Sequence, residues 1–393
     1  MKKFSMSQHR RTQTPFKLWQ YYRDVPEIIF ISHDASLTGA PILMLTLLAW
    51  WKQNGGPPFR IILRNGGKLE ARFRELGRVW VLGWSDMYTI PSPTVQHDLL
   101  SFCGAGVRLI YANTAAVGDV LEALDPLSVP VVAHIHELET MLSRNIGPER
   151  FGLVKQRAKR FVVPSKAVAD NLTTNHSVPV QKIDIVPEYL PDDYANSSVK
   201  ATHNSLDPLT VLGAGTLDWR KGTDLFIQMA RIVQRSCSKN VRYIWVGAAT
   251  QPGQLESHKK LSRKHHVANV ISFIGEQTDL RPFYRAADVF VSSSREDPYP
   301  VVCLEAAAHS LPIICFAGVG GMPEFVQTDA GRVVPHLDVV AMAEAVACML
   351  SDSAARQIAG RCARKRIDKG HRISSCGKRL CEITASLLTD LQE

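Results

Sequence analysis

Residues 288–324 read DVFVSSSREDPYPVVCLEAAAHSLPIICFAGVGGMPE. The pattern predicts a strand, a tight acidic loop, a short apolar helix, a second strand and a glycine-rich turn. Asp297 falls in the loop and Glu305 lies eight positions on, where Val301, Val302, Leu304, Ala306, Ala307 and Ala308 leave it the one charge on an apolar helix. A buried carboxylate is costly unless it has a partner, so Glu305 calls for one.

Outward from this stretch the same alternation continues in both directions. Apolar, β-branched runs at 27–32, 60–63, 78–82, 107–111, 129–135, 160–163, 182–186, 209–212, 241–246, 270–274 and 288–291 read as buried strands. Between and after them, helices are expected from near Pro41, at 68–76, 117–124, 224–235 and 281–287, and finally at 338–350 and 353–366, two helices that close the chain. Strands alternating with helices predict doubly wound parallel sheets. Across 192–208, DDYANSSVKATHNSLDP, apolar residues thin out and turn formers gather. The expected division is therefore a basic tail at 1–24, a first α/β domain at 25–195, a linker at 196–208 and a second α/β domain at 209–393, whose last helices pack back on the first domain. In open α/β sheets ligands sit beyond the carboxyl ends of the strands, so two such domains place their loops across a shared cleft.

The 393 residues are 45% hydrophobic and 21% charged, the composition of a globular protein long enough for two domains. The formal charge of +9 is densest in Lys2, Lys3, Arg10, Arg11 and Lys17, and again in Arg361, Arg364, Lys365, Arg366, Lys369 and Arg372. Each cluster is either a solvated face or a contact for anionic lipid, nucleic acid or a phosphorylated substrate. Nucleic acid is disfavoured because no aromatic residues interleave with the basic ones. Eight cysteines show no CxxC pair and no metal spacing, which points to reduced thiols and a cytoplasmic setting. No apolar run follows the basic start as a signal peptide requires, and the run PILMLTLLAWW at 41–51 is too short to span a bilayer. A cytoplasmic protein, peripheral to the inner face of a membrane, is the expected setting.

The acidic loop offers the first chemistry. With Pro300 read as the first helical position, the backbone N–H groups around Tyr299, Pro300, Val301 and Val302 form a helix N-terminus suited to a diphosphate. Asp297 beside it would repel phosphate and is better matched to hydroxyl groups, while Glu305 could chelate a vicinal diol such as a ribose. The alternative is that Asp297 caps the helix and Glu305 pairs with a basic side chain. In GAGTLDWRKGTDLF, residues 213–226, Arg220 and Lys221 precede a helix, where a lysine can meet phosphate or simply occupy a common basic loop position. The loop after the first strand, with Gly39, is either a close approach of backbone to ligand or a plain tight turn. In HIHELE, residues 134–139, His136 could bond a sugar hydroxyl, act as a base or be a satisfied histidine. His134 and His136 are read as facing opposite ways, which disfavours metal. The run Gly318, Gly320, Gly321 lacks the third glycine of a dinucleotide fingerprint, and no P-loop occurs.

Taken together, SHDASLTGAP with Gly39, HIHE with His136, RKG at 220–222, FIGE with Gly275, DVFVSSSREDPYPVVCLEAAA and GVGGMPE resemble, in order, the retaining GT-B glycosyltransferases of group 1 (family 4). The acidic signature of that family is E-x7-E; here the spacing gives D-x7-E, with Asp297 in the first position and Glu296 its neighbour. The resemblance implies an α/β GT-B fold of two Rossmann-like domains facing a cleft, and transfer of a sugar from a UDP- or GDP-sugar donor to a glycan or lipid-linked acceptor. It implies retention, no metal and no cofactor, in cell-surface polysaccharide, exopolysaccharide or lipopolysaccharide assembly. By position Asp297 would contact the donor sugar, Glu305 the ribose, Lys221 the diphosphate and His136 the sugar or reacting centre, with the Gly39 loop closing on the phosphates. Many members carry an arginine where this chain has Gly215, so either Arg220 substitutes or Lys221 and backbone donors act without it. The second reading is a non-catalytic GT-B subunit that binds nucleotide-sugar or glycan.

Overall fold

The computed structural model describes residues 26–84, 89, 91–194 and 207–389. The basic tail and all but the last two residues of the expected linker lie outside the described residues. The first sheet and its helices run β1 (Glu27–Ser32), α1 (Gly39–Gln53), β2 (Phe59–Leu63), α2 (Glu70–Leu76), β3 (Arg78–Val81), α3 (Pro93–Cys103), β4 (Val107–Ala112), α4 (Gly118–Ala123), β5 (Val131–His134), α5 (Pro148–Arg157), β6 (Ala158–Val163), α6 (Lys166–His176) and β7 (Ile183–Ile185). The second runs β8 (Leu209–Ala214), α7 (Thr223–Ser236), β9 (Val241–Val246), α8 (Gln254–Lys264), β10 (Ile271–Gly275), α9 (Arg281–Ala286), β11 (Val289–Ser292), α10 (Val301–Ala308), β12 (Ile313–Phe316), α11 (Met322–Val326) and β13 (Gly331–Val334), followed by α12 (Val339–Ser351), α13 (Ser353–Gly370) and α14 (Ile373–Thr389).

Both sheets are parallel and share one topology, β3-β2-β1-β4-β5-β6-β7 and β10-β9-β8-β11-β12-β13. The order reverses between β1 and β4 in one and between β8 and β11 in the other. Loops leaving those strands part to opposite faces and open a crevice at the strand ends. Helices cover both faces of each sheet, so the strands are apolar on both sides: Ile28 to Ile31 of β1 are wholly buried. Serine and aspartate open several helices; Ser92 and Ser165 accept from Val95 N and Val168 N, and Asp338 and Asp352 from Ala341 N and Ala355 N.

The run at 41–51 forms the buried α1 as expected, packed on nearly all sides. What covers its outer side is a correction to the sequence reading, which ends with two helices. A third, α14, returns to the first sheet and adds Ile373, Cys376, Leu380, Cys381, Ile383 and Leu388 to the core around Trp50 and Trp51 of α1. The chain crosses between the sheets twice, and the crossings run side by side: Leu190 N donates to His371 O and Ile373 N to Leu190 O, both at 2.9 Å.

The second basic cluster is partly engaged within the fold. Arg364 donates to Ala308 O and pairs with Asp368, Arg366 donates to Phe325 O and Val326 O, and Arg372 donates to Pro191 O and Tyr194 O. Three of its six cations thus tie helix ends and the crossing together, while Arg361, Lys365 and Lys369 are exposed. The eight cysteines form no disulfide. Among the described residues no helix is long and apolar enough to cross a membrane.

Candidate active site

The loops leaving β1, β5, β8, β10 and β11 converge on a cavity of about 580 Å³ between the two domains. His33, Thr38, Gly39, His136 and Glu188 line it from one side, and Arg220, Lys221, Asp297, Tyr299, Val301 and Glu305 from the other. Two helix N-termini meet there. A Cβ placed on Gly39, the first residue of α1, would lie only 3.7 Å from Val301 Cγ2, the first residue of α10. No side chain caps either helix at Thr38 or Pro300, so both present uncapped backbone donors and the positive ends of their dipoles to the same space. Pro300 is the N-cap, one position earlier than the sequence reading places it, because its ψ of 116° is extended and the helical turn begins at Val301.

Two cations stand beside these termini. Lys221 Nζ lies 2.5 Å from Asp297 Oδ2, and Arg220 Nη1 lies 3.7 Å from the same oxygen and donates to Glu296 O at 3.1 Å. Asp297 therefore does not cap α10; it is paired with Lys221, with both side chains largely buried. Lys221 is placed by its neighbours: Asp218 accepts from its backbone N, and its stem lies on Gly215, where a Cβ would come within 3.0 Å of Lys221 Cδ and the backbone φ is +145°. With Lys221 in this pose no side chain fits at 215, and Arg220 is the second cation of the site.

Asp297 is itself fixed by the glycine-rich turn. Its backbone N donates to Val319 O at 2.7 Å, and at Gly320 (φ +136°) a Cβ would lie 1.7 Å from Asp297 O. Gly320→Ala is expected to push Asp297 out of place and to cost at least about 2 kcal/mol of stability, read as a lower midpoint of thermal unfolding. Glu296 turns to the other domain, where Thr140 N and Oγ1 donate to its Oε2 at 3.2 and 2.9 Å. Asp297, not Glu296, faces the cavity. Gly215, Gly275 and Glu296 do not line it; Gly275 ends β10 two residues before Gln277, which does.

Glu305 has partners that the sequence reading did not include. Tyr284 Oη donates to its Oε2 at 2.7 Å, and Tyr194, from the crossing between the domains, also hydrogen-bonds it. Among the described residues no basic side chain forms an ion pair with it. Burial pushes its carboxyl up to about 7, against the two tyrosine hydrogen bonds that favour the charged form.

Corrections also concern the histidines. His134 and His136 do not face opposite ways; their rings are 4.0 Å apart, since positions two apart share a face and the chain holds that direction past the end of β5. Together with Glu188 they bring three donor atoms within 4.8 Å of one another. The 2.7 Å between His136 Nδ1 and Glu188 Oε1 is a hydrogen bond, shorter than the roughly 3.3 Å expected between neighbouring ligands of a tetrahedral ion at roughly 2.0 Å. The group is a hydrogen-bonded cluster and not a ready metal cage. Glu188, Asn113, Tyr194 and Tyr284 were missed because each is a single residue whose partner lies far off in the chain.

Residues 208–352 match the family model described as glycosyl transferases, group 1. The resemblance holds. Glycogen synthase of Mycobacterium tuberculosis is 28% identical over 252 residues, 61% of this chain and 59% of that protein. The lipopolysaccharide core biosynthesis mannosyltransferase LpsB of Rhizobium meliloti is 33% identical over 143 residues, 35% of this chain and 40% of its own. The chain thus spans about three-fifths or less of the length of these curated relatives. Among solved structures, Anabaena Alr3699/HepE in complex with UDP and glucose superposes with a TM-score of 0.77 at 16% identity, covering 91% of this chain and 99% of that one. At that identity the likeness is one of fold, and the fold is GT-B.

Proposed function

We propose that the chain is a retaining glycosyltransferase that moves a sugar from a UDP- or GDP-sugar to an acceptor hydroxyl in cell-surface polysaccharide assembly, at the cytoplasmic face of a membrane. The observation that carries the reading is the meeting of two uncapped helix N-termini with Lys221 and Arg220 at one point of the cleft. Charge develops on the leaving diphosphate as the bond to the anomeric carbon breaks, and fixed dipoles and cations aimed there stabilise it without reorganisation. Asp297 would accept from hydroxyls of the donor sugar, Glu305 from the ribose diol, and His136 would stand near the reacting centre. The electron pair of the breaking C–O bond passes to the β-phosphate oxygen, the acceptor oxygen bonds the anomeric carbon on the same face, and its proton passes to that phosphate oxygen. The positive charge supplied by the chain makes a metal unnecessary. HepE, whose structure holds UDP-glucose, and LpsB, named for lipopolysaccharide core biosynthesis, support the donor class and the pathway.

The test is a ligand-observed NMR screen of UDP-, GDP- and ADP-sugars, followed by turnover with glycolipid and glycan acceptors. Saturable binding of one donor class, transfer insensitive to EDTA and a product with the donor's anomeric configuration are expected. An inverted product would overturn retention, and loss of transfer in EDTA would overturn metal independence. Saturable binding without transfer or hydrolysis would favour the non-catalytic subunit instead.

A further inference from the structure

In the wall of the cleft a line of hydrogen bonds joins the interdomain crossing to the first turn of α1. Glu188 follows β7 and lies two residues before Leu190, which pairs with the returning chain at His371 and Ile373. Its Oε1 meets His136 Nδ1 at 2.7 Å; His136 Nε2 meets Asn113 Oδ1 at 3.1 Å; Asn113 Nδ2 donates to Ala40 O at 2.8 Å. The last bond fixes the amide, because turning it over would set its oxygen against a carbonyl oxygen. Asn113 therefore offers His136 an acceptor on one side, and Glu188 offers an acceptor on the other. With an acceptor at each ring nitrogen, both nitrogens carry hydrogen.

We propose that Glu188 is a positioning residue that holds the His136 ring as a doubly protonated cation, and through His136 and Asn113 fixes the first turn of α1 against the donor's diphosphate. His136 is then a buried positive charge and not a general base. The part concerning diphosphate rests on the glycosyltransferase reading; the part concerning the ring does not.

The surroundings agree. Burial alone would lower the His136 pKa, but the charge and hydrogen bond of Glu188, with Glu137 beside it, outweigh burial and raise it. His134, its ring 4.0 Å away and tilted by 38°, is pushed well below the usual histidine value by burial and by the His136 charge. One ring of the pair is charged and the other neutral, as two interacting sites divide a proton. Glu137 is held in place by Thr114 and by Ala115 N, and His134 Nδ1 by Tyr111 Oη at 2.7 Å. Across the cavity the charged or titratable groups are Arg220, Lys221, Asp279, Arg281, Asp297 and Glu305, with Asp297 paired with both Arg220 and Lys221. The second oxygen of Glu188, Oε2, is buried with no hydrogen-bond partner among the described residues, so the carboxylate's bond to His136 is its main side-chain attachment.

The decisive measurement is a pH titration of the histidine ring protons of the full chain by NMR, with the His136 signal assigned by its loss in His136→Asn. In the wild type the His136 ring should stay protonated through pH 7. In Glu188→Gln its midpoint should fall by at least about one unit, a roughly tenfold smaller ratio of charged to neutral ring at pH 7. Calorimetric UDP binding should weaken in Glu188→Gln at pH 7.5 and recover toward wild type at pH 5.5, a reversal that a merely structural defect would not give. A wild-type ring that is neutral at pH 7, an unchanged midpoint in Glu188→Gln or stoichiometric zinc in the purified protein would each overturn the proposal. If Glu188→Gln does not fold, the wild-type titration and Glu188→Asp, expected to keep the ring charged, decide it. Failure of UDP to bind wild type, with the titration as expected, would count against the glycosyltransferase reading and leave the His136–Glu188 pair standing.

Discussion

Lys221→Ala is expected to lower kcat/KM for the nucleotide-sugar by about 10²- to 10³-fold, with most of the loss in kcat. Lys221 Nζ is the nearest cation to Asp297, which is 6% exposed and would otherwise have Ser294 Oγ at 3.4 Å and Arg220 at 3.7 Å as its nearest side-chain partners. Removing the ammonium has two consequences of the same sign. The developing charge on the diphosphate loses a donor, and Asp297 becomes a largely unpaired carboxylate beside that diphosphate, repelling it. Stability should also fall, by roughly 3 kcal/mol, because one member of a buried pair is left behind. Lys221→Ala with Asp297→Asn separates the two: the double variant should regain much of the stability and little of the activity. Lys221→Arg should not rescue either, since the stem lies against Gly215 and a planar fork does not replace a compact ammonium. Steady-state kinetics and thermal unfolding of the three variants check this. A loss in kcat/KM of less than about tenfold in Lys221→Ala would remove the assigned role.

How far the sequence alone reached can be seen element by element. The strands were legible because a parallel strand covered on both faces must be a continuous apolar run, as in Ile28 to Ile31. Strand ends then located the site, because the reversal of strand order brings the loops of β1, β8 and β11 to it. Helices were less legible than strands: α2 and α9, with one buried residue each, were read, but α8 was not. In α8, QLESHKKLSRK, only Ser262 is buried, so no apolar stripe exists to be read. Helix α14 packs against Trp50 and Trp51, more than 300 residues away, a contact no local pattern encodes. The same distance hid the polar partners. Asp297 and Glu305 were found by spacing, but that Lys221 holds one and Tyr284 and Tyr194 hold the other depends on tertiary approach.

Glu305→Gln is expected to make the protein more stable and a worse binder above neutral pH. Burial raises the Glu305 carboxyl from an ordinary 4.5 to about 7. A group whose folded pKa lies above its unfolded value contributes stability that is fully present below about 4.5 and is lost as pH rises through about 7. At 1.36 kcal/mol per unit, the wild type should lose about 3 kcal/mol on this account between those limits. Glutamine does not titrate, and the tyrosine hydroxyls can both give and accept, so Tyr284 and Tyr194 keep partners. Midpoints of urea unfolding measured from pH 4.5 to 8 should therefore converge at the acid end and separate in favour of Glu305→Gln at the basic end. Donor binding should move the other way. An ionised carboxylate can accept from both hydroxyls of a ribose, whereas the amide offers one acceptor and one donor, so nucleotide affinity should fall by about tenfold or more. Wild-type affinity should also rise as pH passes about 7, once the tyrosines face a charged carboxylate able to take the diol, while the variant stays flat. Stability and binding changing in opposite directions at one residue is what a site that spends stability on function predicts. Parallel pH profiles for wild type and variant would show that Glu305 is ionised throughout, and the ribose role would then have to rest on geometry without the proton.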